Sequence, residues 1–346
     1  MINLYGLTLS KLEELMLKEN QSKFRAKQIF TWIYEKGATD FDDMSDISKS
    51  FREVLKANYC LEKPSIYIKQ VASDGTIKLL LEMKDGSKVE TVLMRYNYGN
   101  VICVTSQVGC NMGCSFCASG LLKKQRNLET HEIVGEVLVM NDLLKEEGSK
   151  VTHIVVMGTG EPFDNYDNVI DFVRIANDQK ALAIGARHIT VSTCGIPDKI
   201  IQYGREGLQV NLAISLHAPN NELRSKIMKV NKAYPLEVLI PAVKDYIDHA
   251  GRRVTYEYIM LKDVNDSLEH ARQLVELIKP TYAYVNLIPY NPVIENGYDR
   301  AESDKVHAFM DYCIKHGVNT TIRKEFGTDI DAACGQLRAK EVGKLK

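Results

Sequence analysis

Three cysteines, Cys110, Cys114 and Cys117, stand in a CxxxCxxC array. Two glycines in the same stretch let the backbone bend enough to aim three thiolates at one point, as a metal or cluster site requires. Free cysteine is also among the most buried residue types, so packing is the competing interpretation of any one of them. The regular spacing in a glycine-containing loop favours a site.

The number of cysteines limits what the loop can bind. A structural zinc site normally has four protein ligands, and no further Cys or His follows within the dozen residues after Cys117. A [4Fe-4S] cluster held by three thiolates leaves one iron without a protein ligand, and this open iron can bind a substrate or cofactor. The array therefore predicts an open iron–sulfur site.

Length, composition and net charge limit the number of domains, the kinds of partner and the cellular compartment. The chain has 346 residues, 45% of them hydrophobic, which is ample for a sizeable core in one to three domains. The net charge of -1 gives no global nucleic-acid signature, so any such contact must come from local basic patches. The sequence shows no bilayer-spanning run and no signal peptide. We therefore expect a cytoplasmic protein in a reducing compartment, without structural disulfides.

The cysteine loop follows an apolar strand and precedes a repeated strand–helix pattern. The strands are predicted at residues 101–105, 153–157, 188–192, 210–215, 253–259 and 284–288, and the helices at 130–145, 166–176, 236–250, 268–278 and 304–316. Six parallel strands imply a doubly wound sheet or a partial barrel, and both place the active site at the carboxyl ends of the strands. The cysteine loop and the polar residues after the later strands obey that rule.

Two smaller modules come first. Residues 1–60 predict three short helices, the second capped by Ser22 and ended by Gly37, with a locally basic surface. Residues 61–95 alternate with period two in strands at 66–68, 76–81 and 89–94, separated by Asp-Gly turns. We expect an antiparallel meander that links the helices to the strand–helix repeat at 96–346.

Several motifs together resemble the RlmN/Cfr family of radical S-adenosylmethionine (SAM) RNA adenine methyltransferases. They are CxxxCxxC with Phe116 before its last cysteine and the stretches 106–110, 157–162, 215–220 and 329–337, and the resemblance covers nearly the whole length. It implies an α/β fold, the radical SAM partial (βα)6 TIM-like barrel. It also implies an RNA-binding helical accessory domain, a β linker and a C-terminal catalytic-cysteine loop.

The resemblance also implies cofactors and their ligands. The cofactors are a [4Fe-4S] cluster on Cys110, Cys114 and Cys117 and SAM, two molecules per turnover. The implied SAM contacts are Gly160, Glu161, Ser192, Ser215, Leu216, His217 and Asn291. From the residues alone, Gly160 and Glu161 offer carbonyls and a carboxylate to the charged amine of SAM, whereas an isolated His217 is more often structural.

Three further residues carry the implied mechanism. One SAM methylates Cys334, and a second is cleaved to a 5′-deoxyadenosyl radical that activates the S-methyl group for addition to adenine. Glu90 is the implied proton acceptor, although a glutamate in a strand usually faces solvent. Cys103 is the implied resolving thiol, which frees the product by forming a transient disulfide with Cys334.

The resemblance to the family does not by itself decide which carbon of adenine is methylated. Residues 4–8, 23–30 and 208–217 look more like the branch that methylates adenine C2 in 23S rRNA, before full ribosome assembly, and in tRNA. The alternatives are the C8 branch, which confers antibiotic resistance, a small-molecule radical SAM enzyme and a non-catalytic iron–sulfur RNA-binding protein.

Basic residues at 123–126, 252–253, 323–324 and 338–346 are candidate phosphate contacts. We expect a monomer that receives electrons from a donor such as flavodoxin or ferredoxin.

Overall fold

The computed structural model describes residues 1–330 and 335–343. The implied catalytic residue Cys334 lies outside these described residues. The elements given below are those of the described parts of the chain.

The first sixty residues form the three predicted helices, α1 (Leu9–Lys18), α2 (Lys23–Tyr34) and α3 (Lys49–Asn58). Short strands β1 (Ile2–Asn3) and β2 (Tyr59–Cys60) pair in parallel and bring the two ends of this module together. Helix α1 begins where the Thr8 hydroxyl accepts the backbone N–H of Lys11 at 3.4 Å. Ser22 occupies the corresponding position before α2, but its side chain makes no capping hydrogen bond, which corrects the predicted cap.

The predicted meander consists of β3 (Ser65–Val71), β4 (Ile77–Glu82), β5 (Lys88–Tyr96) and β6 (Gly99–Val104), each antiparallel to the next. Both Asp-Gly turns have the glycine at positive φ, +80° for Gly75 and +79° for Gly86. The carboxylate of Asp74 accepts the backbone N–H of Thr76 at 2.9 Å and so fixes the first turn. Because β6 also pairs with the first strand of the parallel part, the meander is an extension of the barrel sheet.

After β6 a small hairpin of β7 (Gln107–Val108) and β8 (Arg126–Asn127) brackets the cysteine loop. The repeat then runs α4 (Thr130–Lys145), β9 (His153–Val156), α5 (Tyr166–Asn177), β10 (Ile189–Thr193), α6 (Pro197–Gly204), β11 (Asn211–Ser215), α7 (Asn221–Ile227), α8 (Leu236–Ala250), β12 (Val254–Met260), α9 (Leu268–Ile278), β13 (Ala283–Pro289), α10 (Ser303–Lys315), β14 (Asn319–Ile322) and α11 (Gln336–Glu341).

All six predicted parallel strands are present, as β6 and β9 to β13, and β14 adds a seventh. The seventh strand has the sequence Asn-Thr-Thr-Ile, which is too short and polar to show as an apolar run. The ten strands form one sheet in the order β14-β13-β12-β11-β10-β9-β6-β5-β4-β3. The partial barrel is therefore open between β14 and β3.

One continuous hydrophobic core joins the amino-terminal helices to the barrel, running from residues such as Leu12 and Phe30 to Ile133 on α4 and Ile154 on β9. Gly6 allows the close approach, since a Cβ there would lie 2.9 Å from the backbone nitrogen of His131. The accessory module is thus packed against α4. None of the helices within residues 1–330 and 335–343 has the length and apolarity that a membrane span requires.

Candidate active site

A cavity of about 520 Å³ opens at the carboxyl ends of the parallel strands. Nine of the predicted site residues line it, namely Cys110, Cys114, Cys117, Gly160, Glu161, Ser192, Ser215, His217 and Asn291. They lie at the carboxyl ends of five different strands or in the loops that follow them, which is why the chain order hides their proximity. The barrel thus collects the three thiols and the predicted SAM contacts on one cavity.

The cysteine loop is held by its backbone from two sides. Gly109 has φ +84°, and a Cβ there would lie 2.1 Å from the carbonyl oxygen of Lys123, so the close approach requires glycine. On one side Cys110 donates its N–H to Leu122 O at 2.8 Å, and on the other Ser115 donates its N–H to Ile227 O at 2.9 Å. The thiols are therefore presented by a loop of fixed shape.

The environment of the thiols fits an iron–sulfur cluster. Burial raises the pKa of the Cys110 thiol to about 12, and it raises that of Cys114 further, with the neighbouring thiols adding to the shift. Three thiolates there require a strongly positive partner. In the described parts of the chain, no group of three His, Cys, Asp or Glu could hold a metal ion. A cluster differs in that each thiolate binds a different iron.

Gly160 and Glu161 form the floor of the cavity after β9. Gly160 has φ +112°, and a Cβ there would meet Gln107 Cβ at 2.7 Å and Ser106 Oγ at 2.8 Å. The Glu161 carboxylate is 3% exposed and accepts the N–H groups of Phe163 at 2.9 Å and Cys194 at 2.7 Å. Burial raises the pKa of Glu161 although these two hydrogen bonds oppose the shift. A cationic ligand in the cavity would stabilise this carboxylate.

Three more polar side chains border the cavity. Ser192 and Ser215, on adjacent strands, have their hydroxyl oxygens 3.4 Å apart. The Nδ1 of His217 accepts the backbone N–H of Ile259 at 3.1 Å, so the proton is assigned to Nε2. Burial, with Arg224 nearby, lowers the pKa of His217 to about 3, which keeps the ring neutral. His217 can therefore donate one hydrogen bond from its other nitrogen.

Leu216 is the implied SAM contact that does not line the cavity. Its side chain is fully buried in the barrel core. Its N–H donates to Glu257 O at 3.1 Å and its carbonyl accepts from Arg224 Nε at 3.1 Å, so the backbone polar groups are also in use. The apolar period of β11 continues into Leu216 and turns the side chain away from the site.

Glu90 and Cys103 lie just behind the cavity wall. Cys103 is buried in a small apolar cluster with Val92, Met94 and Val101, of which Val92 and Met94 do line the cavity. Glu90 is 4% exposed on β5, which corrects the expectation of a solvent-facing strand glutamate. Both residues are therefore near the cavity without facing it directly.

The carboxylate of Glu90 binds the start of the last helix. Its Oε2 accepts the N–H of Gly335 at 2.7 Å and its Oε1 the N–H of Arg338 at 2.6 Å. Lys78 Nζ lies 2.9 Å from the same Oε2. Glu90 thus holds the backbone directly after Cys334.

The segment before Cys334 crosses the cavity. Residues from Arg323 to Ile330 line it after β14 ends. The segment is tied to the β3–β4 turn, where Gly327 donates its N–H to Asp74 and Ser73 donates its N–H to Asp329, both at 2.9 Å. The described chain on both sides of residues 331–334 is therefore anchored next to the cavity.

Four buried charged residues near the site were not predicted from the sequence, Lys78, Glu136, Arg224 and Glu257, and of these Glu257 lines the cavity. Glu136 on α4 accepts the backbone N–H of Thr105 with both carboxylate oxygens at 3.1 Å, at the end of β6. The only sign of this buried role in the sequence is that Glu136 interrupts an otherwise apolar helix face. Lys78 similarly interrupts the apolar run of β4.

Four of the candidate phosphate contacts fall into two groups, and Lys344 and Lys346 lie outside the described residues. Lys123 is exposed beside the cysteine loop and remains a candidate. Arg126 is held by Glu132 and Asp85, and Arg338 is 4% exposed, so neither presents a free cation to a phosphate. Lys124 is paired with Asp164 at 2.7 Å.

Comparisons with known proteins agree with this geometry. Residues 2–61 match the family described as "Ribosomal RNA large subunit methyltransferase N-terminal domain", and residues 104–277 match "Radical SAM superfamily". A "Probable dual-specificity RNA methyltransferase RlmN" from Enterococcus faecalis is 54% identical over 99% of this chain and 98% of its own length. One with the same description from Streptococcus pyogenes is 52% identical over 99% and 97%.

A solved structure is similar over the same extent. The crystal structure of a radical SAM methyltransferase from Sphaerobacter thermophilus superposes with a TM-score of 0.91 at 41% sequence identity. It covers 97% of this chain and 99% of the other. The amino-terminal helical module, the antiparallel meander and the barrel therefore all belong to the shared architecture.

Proposed function

Because the chain belongs to the RlmN family within the radical SAM superfamily, we propose that it methylates C2 of adenine in 23S rRNA and in tRNA. The observation that carries the proposal is the single cavity that the three-cysteine loop, the predicted SAM contacts and the segment leading to Cys334 share. The similarity of the named relatives over nearly their whole length supports the same activity.

The cavity suits the two cofactors that the radical SAM superfamily implies, a [4Fe-4S] cluster and SAM. We assign the cluster to Cys110, Cys114 and Cys117, and SAM to Gly160, Glu161, Ser192, Ser215, His217 and Asn291. When bound, the pair supplies a methyl group and a 5′-deoxyadenosyl radical, with two SAM molecules used per turnover. The SAM amine would stabilise the Glu161 carboxylate, whose charge is disfavoured by burial, and His217 offers a neutral N–H donor.

The remaining steps belong to cysteines and a base of the chain itself. Cys334 takes the methyl group on its sulfur and, after loss of one hydrogen atom, bonds through that carbon to adenine C2. The radical adduct then gives up one electron, which offsets the electron that SAM cleavage consumed, and Glu90 accepts the proton that C2 loses. Cys103 then attacks the Cys334 sulfur, so that a disulfide forms as the sulfur–carbon bond to the product breaks, and the released carbon takes up a proton to complete the methyl group.

The described position of Glu90 adds a condition to this sequence. Its two oxygens hold the N–H groups of Gly335 and Arg338, and it does not line the cavity. We therefore propose that the start of α11 moves off Glu90 before the carboxylate accepts a proton. In this scheme the chain that carries Cys334 also controls access to the base.

The substrate and electron donor are proposed on simpler grounds. The amino-terminal module, packed against α4, would help hold RNA with its lysines and arginines, and Lys123 would contact backbone near the cysteine loop. The target base must leave its stack to reach the cavity. We propose a monomer in the cytoplasm, where ribosomal RNA is available before full ribosome assembly, reduced by flavodoxin or ferredoxin.

Mass spectrometry of ribosomal and transfer RNA tests the function. Cells lacking the gene would be compared with cells carrying a plasmid copy, with 2-methyladenosine and 8-methyladenosine scored separately. We expect 2-methyladenosine only with the plasmid, and none with a Cys334→Ala copy. If 8-methyladenosine appears instead, the regiochemistry is wrong, and if neither nucleoside changes, the RNA assignment is wrong.

A further inference from the structure

Arg224 is a buried cation that forms no ion pair with a carboxylate of the described residues. It lies on α7 with 0% of its surface exposed. Its guanidinium donates to four neutral oxygens, which are Leu216 O at 3.1 Å, Asn231 Oδ1 at 2.9 Å, Cys194 O at 2.6 Å and Ser215 O at 3.3 Å. Among residues 1–330 and 335–343, no Asp or Glu forms an ion pair with it, although many exposed arginines of the chain have one.

Such an arrangement is unfavourable in isolation. Removing a charge from water is costly unless an opposite charge or strong hydrogen bonds compensate, and neutral carbonyls compensate only in part. Burial accordingly lowers the pKa of Arg224 to about 10. That value is still far above neutrality, so the guanidinium carries its charge under physiological conditions.

The position of Arg224 indicates that the group which balances its positive charge lies at the cysteine loop. The last residue of α7, Ile227, accepts the N–H of Ser115 inside the cysteine loop. Cys194, whose carbonyl binds the guanidinium, packs in one apolar cluster with Phe116, Cys114 and Cys117. The helix thus presents a fixed charge to the back of the loop.

We propose that Arg224 is the counter-charge of the iron–sulfur cluster and raises its reduction potential. This inference rests on the proposed function, in which Cys110, Cys114 and Cys117 hold the cluster. Three thiolates give a [4Fe-4S]²⁺ cluster a net charge of about -1, and one electron from a reductant such as dithionite takes it to about -2. No bond forms or breaks in this step. A nearby fixed cation stabilises the more negative state and so favours reduction.

Arg224 could instead act only by holding together the loops after β10 and β11, and its neighbours allow the two roles to be separated. Arg224→Met removes both the charge and the hydrogen bonds. Arg224→Lys keeps a charge without the planar fork. Asn231→Asp keeps the arginine but places a carboxylate on the guanidinium, which neutralises its field, and it also removes the hydrogen bonds that Asn231 Nδ2 donates to Asn221 and Ser225. Lys226→Met removes an exposed lysine from the same helix and is the matched control.

The test is the midpoint potential of the reconstituted cluster in each full-length variant, measured by an anaerobic EPR-monitored redox titration. We expect Arg224→Met and Asn231→Asp to lower the potential by at least 59 mV, which is a tenfold loss in the reduction equilibrium for one electron. Arg224→Lys should remain closer to wild type, and Lys226→Met should be unchanged because water screens its charge.

The possible results distinguish a failure of this inference from a failure of the proposed function. Unchanged potentials in cluster-bearing Arg224→Met and Asn231→Asp proteins would overturn the counter-charge role, as would a fall for Arg224→Lys as large as that for Arg224→Met. If Arg224→Met does not fold, Asn231→Asp and Arg224→Lys decide the question. A wild-type protein that binds no iron would instead overturn the cluster itself, and this inference with it.

Discussion

Lys78 Nζ lies 2.9 Å from Glu90 Oε2 across the β4–β5 pair, and the two side chains are only 0% and 3% exposed. The same carboxylate binds the first turn of α11, 245 residues further along the chain. The ion pair therefore connects the amino-terminal part of the sheet to the segment that carries Cys334. Its burial makes it sensitive to the loss of either partner.

Replacing Lys78 with methionine should destabilise the protein strongly. The variant leaves the Glu90 carboxylate buried without its cation, which costs about 3 to 5 kcal/mol. Urea unfolding of the cluster-free protein measures the change. Lys84→Met is the matched control, because Lys84 pairs with Glu62 at 2.8 Å on the exposed surface, and its loss should cost at most about 1 kcal/mol. Equal effects of the two substitutions would contradict the argument.

Gly160→Ala should abolish SAM binding. The added Cβ would lie 2.7 Å from Gln107 Cβ, and φ +112° is also strained for alanine, so the loop that presents Glu161 must shift. Isothermal titration calorimetry with SAM should show at least about a hundredfold loss, or about 2.7 kcal/mol. Gly251→Ala has a similar left-handed φ of +64° but meets nothing within 4 Å, and it should keep wild-type affinity. Retained affinity in Gly160→Ala would remove this loop from the SAM site.

His217 should make the protein less stable as the pH falls. Its pKa is about 3 when folded and 6.5 when unfolded, so the unfolded chain binds the extra proton between these values. The stability contributed by neutral His217 is therefore complete above pH 6.5 and is lost as the pH approaches 3. The expected slope is about 1 kcal/mol per pH unit between pH 6 and 4.

His217→Asn is the variant that tests this dependence. Asparagine tolerates the left-handed φ of +58° at this position and does not titrate. Urea unfolding at several pH values should show a shallower acid loss for the variant than for the wild type. Parallel stability curves for the two proteins would show that His217 is not the group responsible.

Each cysteine of the loop should be needed for iron. Cys110→Ala, Cys114→Ala and Cys117→Ala each remove one of three thiolates, and iron and sulfide analysis after anaerobic reconstitution should fall to near zero. Cys60→Ala is the matched control, since Cys60 lies in the amino-terminal module against Ile2 O at 3.8 Å. Iron content that survives all three loop substitutions would place the cluster elsewhere.

The elements that the sequence predicted well are those with a strong period. Helices α4 and α9 begin and end at the predicted residues because their apolar faces are long and regular. The short helix α7 was missed since seven residues give too few repeats, and β14 because three of its four residues are polar. The motifs placed nine site residues on the cavity, but they could not show that Leu216 turns inward.

Buried charges were the harder part. An arginine on a short helix normally indicates a solvated face, and only the three-dimensional fold brings Arg224 against carbonyls of two other loops. The partners of Glu90 at Gly335 and Arg338 are equally remote in sequence. Local sequence patterns describe a residue's neighbours along the chain, whereas the roles of these buried charges depend on contacts with residues that are remote in sequence.

The gap between β14 and β3 gives the molecule a seam. Along it, in the described residues, the Gly327–Asp74 and Ser73–Asp329 hydrogen bonds join the chain after β14 to the β3–β4 turn. Each has a carboxylate as acceptor and contributes about 1.5 to 3 kcal/mol. The molecule therefore closes this side with side chains and turns instead of a strand ladder.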